Sequence, residues 1–270
     1  MDETAPLVST IMSVYNGDQW LRQAIDSIIN QTYKNWEFII IDDASNAATQ
    51  TILDQYANDK RFKIIHQRTQ QGLTKNLNIA IDLCTGDLIA RMDADDISLP
   101  ARFEKQVFYL LSKPSVSVVA SYIEMIDETG KPTGIWSDDR KATSWRNIKA
   151  MLPWKNCIAH PTIMTRKTIL REYRYTEAQI HSQDWDLWLR LAADGKIIEK
   201  IPEPLLLYRI HPDSVTSRSN KKKSFLKRHE SYQTYLRHSK LNAFNVKIWL
   251  GFLFNGTKLF LSRIKKTFSS

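Results

Sequence analysis

Three carboxylates crowd into four residues at Asp93-Ala94-Asp95-Asp96, directly after the apolar run Leu88-Ile89-Ala90. Carboxylates this close repel one another and add nothing to a hydrophobic core. A hard divalent cation takes oxygen ligands and leaves positions open for phosphate, so the spacing predicts a metal site at the end of a strand. The alternative is a solvated acidic turn that caps the helix beginning near Arg102, because Asp is common at both positions.

Polar clusters also close two earlier apolar runs, at Ser13-Val14-Tyr15-Asn16 and at Asp42-Asp43. Side chains of these types can hydrogen-bond a polar ligand. The structural alternative for the two acids is an Asx turn followed by a helix cap.

The first half of the chain alternates strand and helix patterns. Apolar runs predict strands at 8–14, 36–41, 62–65 and 88–92, and helical spacing predicts helices at 20–29, 47–56 and 73–83. Short links between them indicate βαβ units, and therefore a mostly parallel central sheet with helices on both faces. Ligands bind such sheets at the carboxyl ends of the strands, where the three polar clusters fall.

The second half is less regular. The pattern predicts a helix at 102–111, a strand at 116–126, a loop-rich stretch, a helix at 184–191, and two short strands, 197–201 and 205–208, split by prolines. The chain lacks a P-loop, and no G-x-G-x-x-G follows the first strand. These absences argue against an ordinary P-loop NTPase or Rossmann dehydrogenase.

The positive charge is concentrated at one end. Residues 218–270 contain 13 Lys and Arg and a single acid, Glu230, whereas residues 1–217 contain 25 basic and 28 acidic residues. Such a basic tail binds nucleic acid or an anionic membrane. No nucleic-acid recognition motif accompanies it, and its Trp- and Phe-bearing apolar stretches fall short of the about 20 residues that span a bilayer. We predict an amphipathic helical tail on an anionic membrane surface, and no nucleic acid as partner.

The amino terminus, Met1-Asp2-Glu3-Thr4, is acidic, and no long apolar segment follows it. These features are unlike a signal peptide. We expect a cytoplasmic protein, peripheral on the cytosolic face of the inner membrane, with a globular domain at 1–217 and a membrane-associating tail at 218–270. A chain that ends near Ser219 is expected to stay folded.

The ordered set of motifs resembles the family 2 glycosyltransferases of the GT-A fold, which are inverting enzymes that build bacterial surface polysaccharides. The resemblance runs from about residue 6 to residue 216. It is carried by 8–16, 24–33, 37–45, 71–76, 86–87, 90–96, Pro100 with Arg102, 183–190 and 208–211. It implies a Rossmann-like GT-A domain whose nucleotide-sugar half is 1–100 and whose acceptor half is 101–217.

The resemblance implies a UDP-sugar as donor. Uracil has an N–H flanked by two carbonyls, so its edge suits a carboxylate with backbone amides nearby. Asp43 is similar to the family's uracil-binding acid, and Asp42 is expected to support its loop. The segment with Ser13, Tyr15 and Asn16 is expected to complete the base pocket, with Tyr15 available for stacking.

At the metal, the resemblance implies that Asp93 contacts the ribose or the ion and that Asp95 ligates Mn²⁺ or Mg²⁺. The ion would neutralise charge on the departing UDP. His211 adds a ligand or a phosphate contact, the alternative being a surface histidine. Lys75 and Arg91 are expected phosphate or pocket partners.

Asp184 is the expected general base, because inversion in one displacement requires a carboxylate that takes the proton of the acceptor hydroxyl. Gln183 stands where the family usually has Glu, at a position expected to contact the acceptor. Asp186 is the second candidate, although on a helix it points about 200° away from Asp184. The Gln-x-x-Arg-Trp motif of processive synthases is missing, which favours one sugar per encounter.

The expected acceptor is a lipid-linked oligosaccharide or a lipopolysaccharide or capsule precursor. Trp154 and His160, with Trp136 and Trp145, are candidates to line its site, although core packing explains these tryptophans as well. Two other functions stay open. A sugar-1-phosphate nucleotidyltransferase would need a Gly-rich phosphate loop after the first strand. A catalytically inactive scaffold of the same fold would not need the acids of the site.

Overall fold

The computed structural model describes residues 5–179, 181–212, 232, 236, 246–254 and 256–257, so most of the predicted tail lies outside the described residues. The described strands are β1 (Val8–Val14), β2 (Trp36–Asp42), β3 (Phe62–His66), β4 (Leu88–Arg91), β5 (Ile97–Ser98), β6 (Val116–Ile126), β7 (Pro132–Gly134), β8 (Met164–Arg166) and β9 (Ile197–Arg209). The helices are α1 (Leu21–Ile29), α2 (Ala47–Asp54), α3 (Leu73–Leu83), α4 (Arg102–Ser112), α5 (Ser137–Lys141), α6 (Trp145–Met151), α7 (Lys167–Tyr173) and α8 (Gln183–Ala193), and a 3₁₀ turn covers His160–Thr162. Of the described helices, none has the length and apolar character needed to cross a membrane.

One sheet contains these strands in the order β3-β2-β1-β4-β8-β6-β9-β5, with β7 paired to β6. Strands β3, β2, β1 and β4 are parallel, and β9 is parallel to β6. Strands β8, β5 and β7 are antiparallel to their neighbours. The predicted α/β architecture is therefore confirmed, and the antiparallel β8 joins the parallel first half to the second half.

The sheet separates two hydrophobic cores, because successive side chains of a strand point to opposite faces. Ile39 of β2 lies in one core with Leu77 of α3, and Phe38 and Ile40 lie in the other with Ile25 of α1. Burial on both faces explains why these strands are continuously apolar.

The carboxyl ends of β1, β2 and β4 meet at one edge of the sheet. Val14 pairs with Asp42, and Ile11 pairs with Arg91, so the three strand ends lie side by side. The prediction that the three polar clusters share one edge is confirmed, and the loops after these strands form the floor of the site.

The prediction of two short strands split by prolines is wrong, because β9 is continuous over Ile197–Arg209. Its register against β6 jumps from Ile201 to Pro204, and the exposed Pro202 and Glu203 bulge out between them. A bulge removes these residues from the ladder, so the missing N–H of Pro202 costs no hydrogen bond there.

Several of the described residues in the predicted tail pack against the folded body. Tyr232 and Ile248 are fully buried in the same core as Trp185. The expectation that a chain ending near Ser219 would stay folded unchanged therefore needs revision, because such a chain would lack both side chains.

Candidate active site

Asp42 ends β2 and is fully buried. Its Oδ1 accepts the Ser45 N–H at 3.0 Å, and its Oδ2 lies 2.8 Å from His66 Nδ1. These contacts close a turn in which Ala44 adopts a φ of 61°. Asp42 therefore shapes the loop that presents its neighbour.

Asp43 turns its carboxylate towards the start of α3. Its oxygens accept the main-chain N–H groups of Gln71 at 2.6 Å and Gly72 at 3.0 Å. Gly72 has a φ of 87°, a conformation that favours glycine. A carboxylate offers about four acceptor positions, so these two contacts leave capacity for a ligand N–H.

The loop after β1 lies beside Asp43. Ser13 accepts a hydrogen bond from a side-chain amide of α3 at 3.2 Å. The Asn16 N–H donates to Ser45 Oγ at 3.0 Å, and its side-chain oxygen accepts the Asn46 N–H at 2.8 Å. Asn16 therefore fastens this loop to α2, whereas Tyr15 is 53% exposed and its ring is accessible to a planar base.

The two predicted cationic partners differ in position. Lys75 is exposed and donates to the Gln71 side chain. Arg91 is buried and forms a two-pronged ion pair with Asp93. Arg91 is thus part of the acidic cluster, and Lys75 lies at the solvent edge.

Asp93, Asp95 and Asp96 each offer a carboxylate oxygen within 4.8 Å of the others. Burial raises the pKa of Asp93 to about 6, an effect that Arg91 opposes and Asp95 reinforces. Burial also raises the pKa of Asp96 well above its usual value, and its Oδ2 has no hydrogen-bond partner in the described part of the chain. An all-oxygen donor set with an unpartnered buried oxygen fits a hard divalent cation.

His211 lies at the rim of this cluster. Its Nε2 is 3.0 Å from Asp95 Oδ2, and its side chain is only 11% exposed. The ring centroid lies 4.5 Å from that of Trp20. The alternative of a surface histidine is therefore wrong.

Arg209 braces the acidic loop from β9, a role that the sequence analysis missed. Its Nε donates to the Asp95 carbonyl at 2.8 Å, and its main-chain N–H donates to Asp96 Oδ1 at 2.9 Å. Its Nη1 donates to the Asp127 carbonyl at 3.0 Å, and its Nη2 donates to Gln23 Oε1 at 2.9 Å. In the sequence, Arg209 was marked only by its place in the motif 208–211, which also contains His211.

Arg102 supports the other end of the same loop and was also missed. It is fully buried, and burial lowers its pKa to about 9. Its Nη2 donates to the carbonyls of Arg91 at 2.9 Å and Ile163 at 3.2 Å, and its Nε donates to Gln106 Oε1 at 3.1 Å. Arg102 thereby fixes the end of β4, two residues before Asp93.

Asp184 lies in the first turn of α8, after Ser182, which has a left-handed φ of 54°. Asn156 Nδ2 donates to Asp184 Oδ2 at 2.6 Å. Burial raises the pKa of Asp184, although hydrogen bonds from the Trp185 main chain and from Asn156 oppose the rise. The charge of Asp184 also adds to the rise in the pKa of Asp93, after burial and the charge of Asp95.

Tyr175 lies behind these carboxylates, and nothing in the sequence pointed to it. Its hydroxyl is 2.6 Å from His160 Nε2. Burial raises the pKa of Tyr175, and the charges of Asp184 and Asp93 add to this effect. His160 is itself 7% exposed, packs edge-on against Trp188, and has its pKa lowered well below the usual value by burial. The placement of His160 at the acceptor surface is therefore wrong, because it supports Tyr175 from inside the core.

Asp186 does not face the site either. It is fully buried, and its Oδ2 accepts from Thr176 Oγ1 at 2.9 Å and from Arg190 Nε at 3.0 Å. The carboxylate of Asp186 links α8 to the preceding loop. The predictions that Asp186 is a second candidate base or contacts the acceptor are therefore wrong. Gln183 begins α8 and is partly exposed, so it stays a candidate acceptor contact.

Of the three tryptophans proposed for the acceptor, one is exposed and two are partly buried. Trp154 is 43% exposed. Trp136 and Trp145 pack against the two hydrophobic cores. Core packing therefore explains these two, and Trp154 stays in the acceptor prediction.

Comparison with known proteins gives a consistent picture. Residues 9–174 match the family model described as glycosyl transferase family 2. The chain is 39% identical over 214 residues to the O-antigen biosynthesis glycosyltransferase WbnJ of Escherichia coli, with 77% of this chain and 81% of WbnJ covered. It is 34% identical over 254 residues to the uncharacterised glycosyltransferase MJ1057 of Methanocaldococcus jannaschii, covering 93% of this chain and 86% of that one.

Solved structures share the fold. The Staphylococcus aureus protein TarS in complex with UDP-GlcNAc superposes with a TM-score of 0.72 at 16% identity, over 92% of this chain and 72% of that chain. The Pyrobaculum calidifontis mannosyltransferase PcManGT, solved with GDP-Man and Mn²⁺, gives a TM-score of 0.64 at 17% identity, over 92% and 69% of the two chains. At these identities the likeness concerns the fold alone.

Proposed function

Because the chain belongs to glycosyl transferase family 2 and is a glycosyltransferase of the GT-A fold, we propose that it transfers one sugar, with inversion, from a UDP-sugar to a glycan acceptor. The observation that supports this proposal is the cluster of Asp93, Asp95 and Asp96 after β4, whose carboxylate oxygens lie within 4.8 Å of one another, at the sheet edge where β1 and β2 also end. Two relatives are named for O-antigen and amylovoran biosynthesis. We therefore propose a lipid-linked oligosaccharide, or a lipopolysaccharide or capsule precursor, as acceptor.

The proposal of UDP rests on Asp43. Its carboxylate is fixed by two main-chain N–H groups and retains capacity for the N–H of uracil. Tyr15 is exposed beside it and can stack on the base. TarS was solved with UDP-GlcNAc and PcManGT with GDP-Man, so the fold itself accepts either nucleotide.

In the proposed reaction the acceptor hydroxyl oxygen attacks the anomeric carbon of the donor sugar. Its proton passes to a carboxylate oxygen of Asp184, and the bond from the anomeric carbon to the diphosphate oxygen breaks, so UDP leaves with the electron pair. Attack opposite the leaving group inverts the configuration. The raised pKa of Asp184 makes it a stronger base than an exposed aspartate, and Asn156 holds it in place.

Asp93 and Asp95, with the unpartnered oxygen of Asp96, are proposed to hold Mn²⁺ or Mg²⁺, and His211 is proposed as a further ligand or phosphate contact at the rim. When bound, such an ion supplies Lewis-acid stabilisation of the charge on the leaving diphosphate. Arg209 and Arg102 position the loop that carries these ligands through their hydrogen bonds to its carbonyls.

We also propose that the reaction takes place at the cytosolic face of the inner membrane. The acceptor is lipid-linked in this proposal, and the basic residues of 218–270 favour an anionic surface.

The test is release of UDP from a panel of UDP-sugars, with a lipid extract as acceptor and with Mn²⁺, Mg²⁺ or EDTA. We expect release that needs both a donor and a divalent ion and that yields the opposite anomer. Retention of anomeric configuration would contradict the role of Asp184. Absence of UDP release from every donor would favour the inactive scaffold, and pyrophosphate release from a nucleoside triphosphate would favour the nucleotidyltransferase.

A further inference from the structure

The helical residues 246–254 turn an apolar stripe towards solvent. Five side chains at positions i, i+3, i+4, i+7 and i+8 are 44–57% exposed: Val246, Trp249, Leu250, Leu253 and Phe254. This spacing puts them on one face of the helix, which we call the outer stripe. In a soluble protein such a stripe usually faces the core, but here Ile248 and Gly251 make the core contact instead.

Tyr232 and Gly251 pack closely against the segment around Pro153 and connect this helix to the acceptor half. The Tyr232 hydroxyl donates to the Pro153 carbonyl, and the Tyr232 ring packs edge-on against Trp185 with centroids 5.0 Å apart. Trp185 Nε1 donates to the Leu152 carbonyl at 2.9 Å. A Cβ on Gly251 would lie 2.7 Å from the Pro153 oxygen and 2.8 Å from the Tyr232 hydroxyl, so no side chain fits there. We call these contacts the tail junction.

The tail junction lies beside the candidate base. Trp185 follows Asp184 directly, and Asn156, which donates to Asp184 at 2.6 Å, comes three residues after Pro153. Trp154, between them, is 43% exposed. The segment 152–156 therefore contacts the helix with the outer stripe through one residue and Asp184 through another.

The positive charge and the exposed apolar side chains together indicate which kind of partner binds the outer stripe. Lys247 is exposed on the same helix, and residues 218–270 contain 13 Lys and Arg against one acid. A second copy of the chain would bring the same charge and be repelled. A nucleic acid would satisfy the cations but not five apolar side chains. An anionic lipid surface satisfies both, because apolar side chains enter the acyl boundary while cations meet the headgroups.

We propose that the outer stripe lies on an anionic lipid surface and that the tail junction fixes Asp184 in a set orientation to that surface. The lipid contact stands by itself, whereas its purpose, presentation of a lipid-linked acceptor to the base, rests on the proposed function.

The first experiment is flotation of the full-length protein with vesicles of phosphatidylcholine, with or without an equal part of phosphatidylglycerol. The double variant Leu250→Ser, Leu253→Ser should partition at least about tenfold less onto anionic vesicles, because it withdraws two apolar side chains from the lipid. The control is Phe108→Ser, Leu111→Ser on α4, which alters two apolar side chains that are 73% and 56% exposed beside the opposite core, and it should float like the parent.

The second experiment is amide hydrogen exchange with and without the same vesicles. In the parent, anionic vesicles should slow exchange at 246–254 and also at 152–156. In Gly251→Ala, whose added methyl group displaces the helix from Pro153, slowing should persist at 246–254 and be lost at 152–156. Thr257→Ala introduces an alanine at an exposed helical position away from the junction and should behave like the parent.

The proposal is overturned if the stripe variant floats like the parent, or if it abolishes a stable dimer of the parent, which would make a second copy the occupant. Slowing confined to 246–254 in the parent would overturn the coupling to the base. Failure of the parent to release UDP would contradict the proposed function and leave the flotation and exchange results unaffected.

Discussion

Two carboxylates of the site, Asp93 and Asp184, are held by different kinds of partner. Asp93 is clamped on both oxygens by the cationic Arg91, whereas Asp184 takes hydrogen bonds from neutral donors, the Asn156 amide and the Trp185 main chain. A cation beside a carboxylate weakens it as a proton acceptor, while neutral donors orient it at a smaller cost in basicity. Arg91 thus occupies both oxygens of Asp93, whereas Asp184 has no cationic hydrogen-bond partner among the described residues, which favours Asp184 as the base.

Replacing Asp184 by Asn tests the base directly. The change keeps the size of the side chain and the acceptor for Asn156, and it should lower kcat by about 10²–10⁴-fold with little effect on UDP affinity. The folded pKa of Asp184 is raised, so its contribution to stability is present below its unfolded pKa and lost as pH rises through the folded value. The variant should therefore be at least as stable as the parent at pH 7. Asp82→Asn, at an exposed acid paired with Arg174, is the control and should keep its kcat.

Removal of the Asn156 amide should shift the pH dependence of kcat/KM. The hydrogen bond from Asn156 favours the charged form of Asp184, so Asn156→Ala should raise the pKa of Asp184 further. The base works only when ionised, so the acid limb of kcat/KM should shift to higher pH. A pH series on parent and variant measures the limb, and an unchanged limb with reduced kcat would mean that Asn156 contacts the acceptor instead.

The metal cluster can be tested through binding. Asp95→Ala removes one proposed ligand and also relieves repulsion among the clustered carboxylates. We expect loss of turnover and loss of the Mn²⁺ dependence of UDP binding by calorimetry, with the melting temperature nearly unchanged. UDP affinity that does not depend on Mn²⁺ in the parent would contradict the metal assignment.

At this scale the sequence revealed the acids but not their partners. Asp93, Asp95 and Asp184 stand in short motifs whose spacing is visible along the chain. Tyr175 and Asn156 are brought to Asp184 by loops that pack through space, so no local pattern marks them. Asp186 was misplaced in function because the sequence does not show its ion pair with Arg190.

At the scale of elements, a buried ion pair fastens the acceptor side to the sheet. Lys200 of β9 is fully buried, and its Nζ donates to Asp139 Oδ1 at 2.6 Å, to the Asp139 carbonyl at 2.8 Å and to the Cys157 carbonyl. Asp139 also accepts the Ile123 N–H of β6 at 3.0 Å. One ammonium group thus holds α5 and Cys157, the residue after Asn156, against the central strands.

Loss of this ammonium group should weaken the fold. Lys200→Met leaves Asp139 buried without a counter-charge, which costs about 3–5 kcal/mol in free energy of unfolding. Burial already raises the pKa of Asp139, so the loss should grow as pH rises through that pKa. Urea unfolding at several pH values measures it. The double variant Lys200→Met, Asp139→Asn carries no buried charge and should recover part of the loss, and a single variant as stable as the parent would contradict this role.

Elements of the first half were predictable because their strands are mainly runs of apolar residues and their helices have apolar residues at helical spacing. Helix α3 and strand β6 begin and end at the predicted residues. The short antiparallel β8 was missed, because three residues carry too little pattern, and β9 was divided because its bulge is invisible in the sequence.

At the scale of the whole molecule, the two hydrophobic cores draw on different parts of the chain. The core with α1 and α4 is built from residues before 210, whereas the core with α3 and α8 also takes in Tyr232 and Ile248. Charge and composition marked residues 218–270 as a separate tail, but composition cannot show that single side chains of such a segment insert into the body. The body of the chain and residues 218–270 are therefore coupled in stability.

A chain shortened after Asn220 should consequently be less stable than the full chain. It loses the buried Tyr232 and Ile248 and exposes a face of Trp185, and each large side chain withdrawn from a core costs about 2–5 kcal/mol. Urea unfolding followed by tryptophan fluorescence should show a lower midpoint and a red-shifted native emission. Full-length Tyr232→Ala should reproduce part of the loss without altering the charge of the tail, and Tyr15→Ala, at a 53% exposed tyrosine, should not. Equal midpoints for the shortened and full chains would mean that these side chains add nothing to the core, and the tail would then act on the enzyme through charge alone.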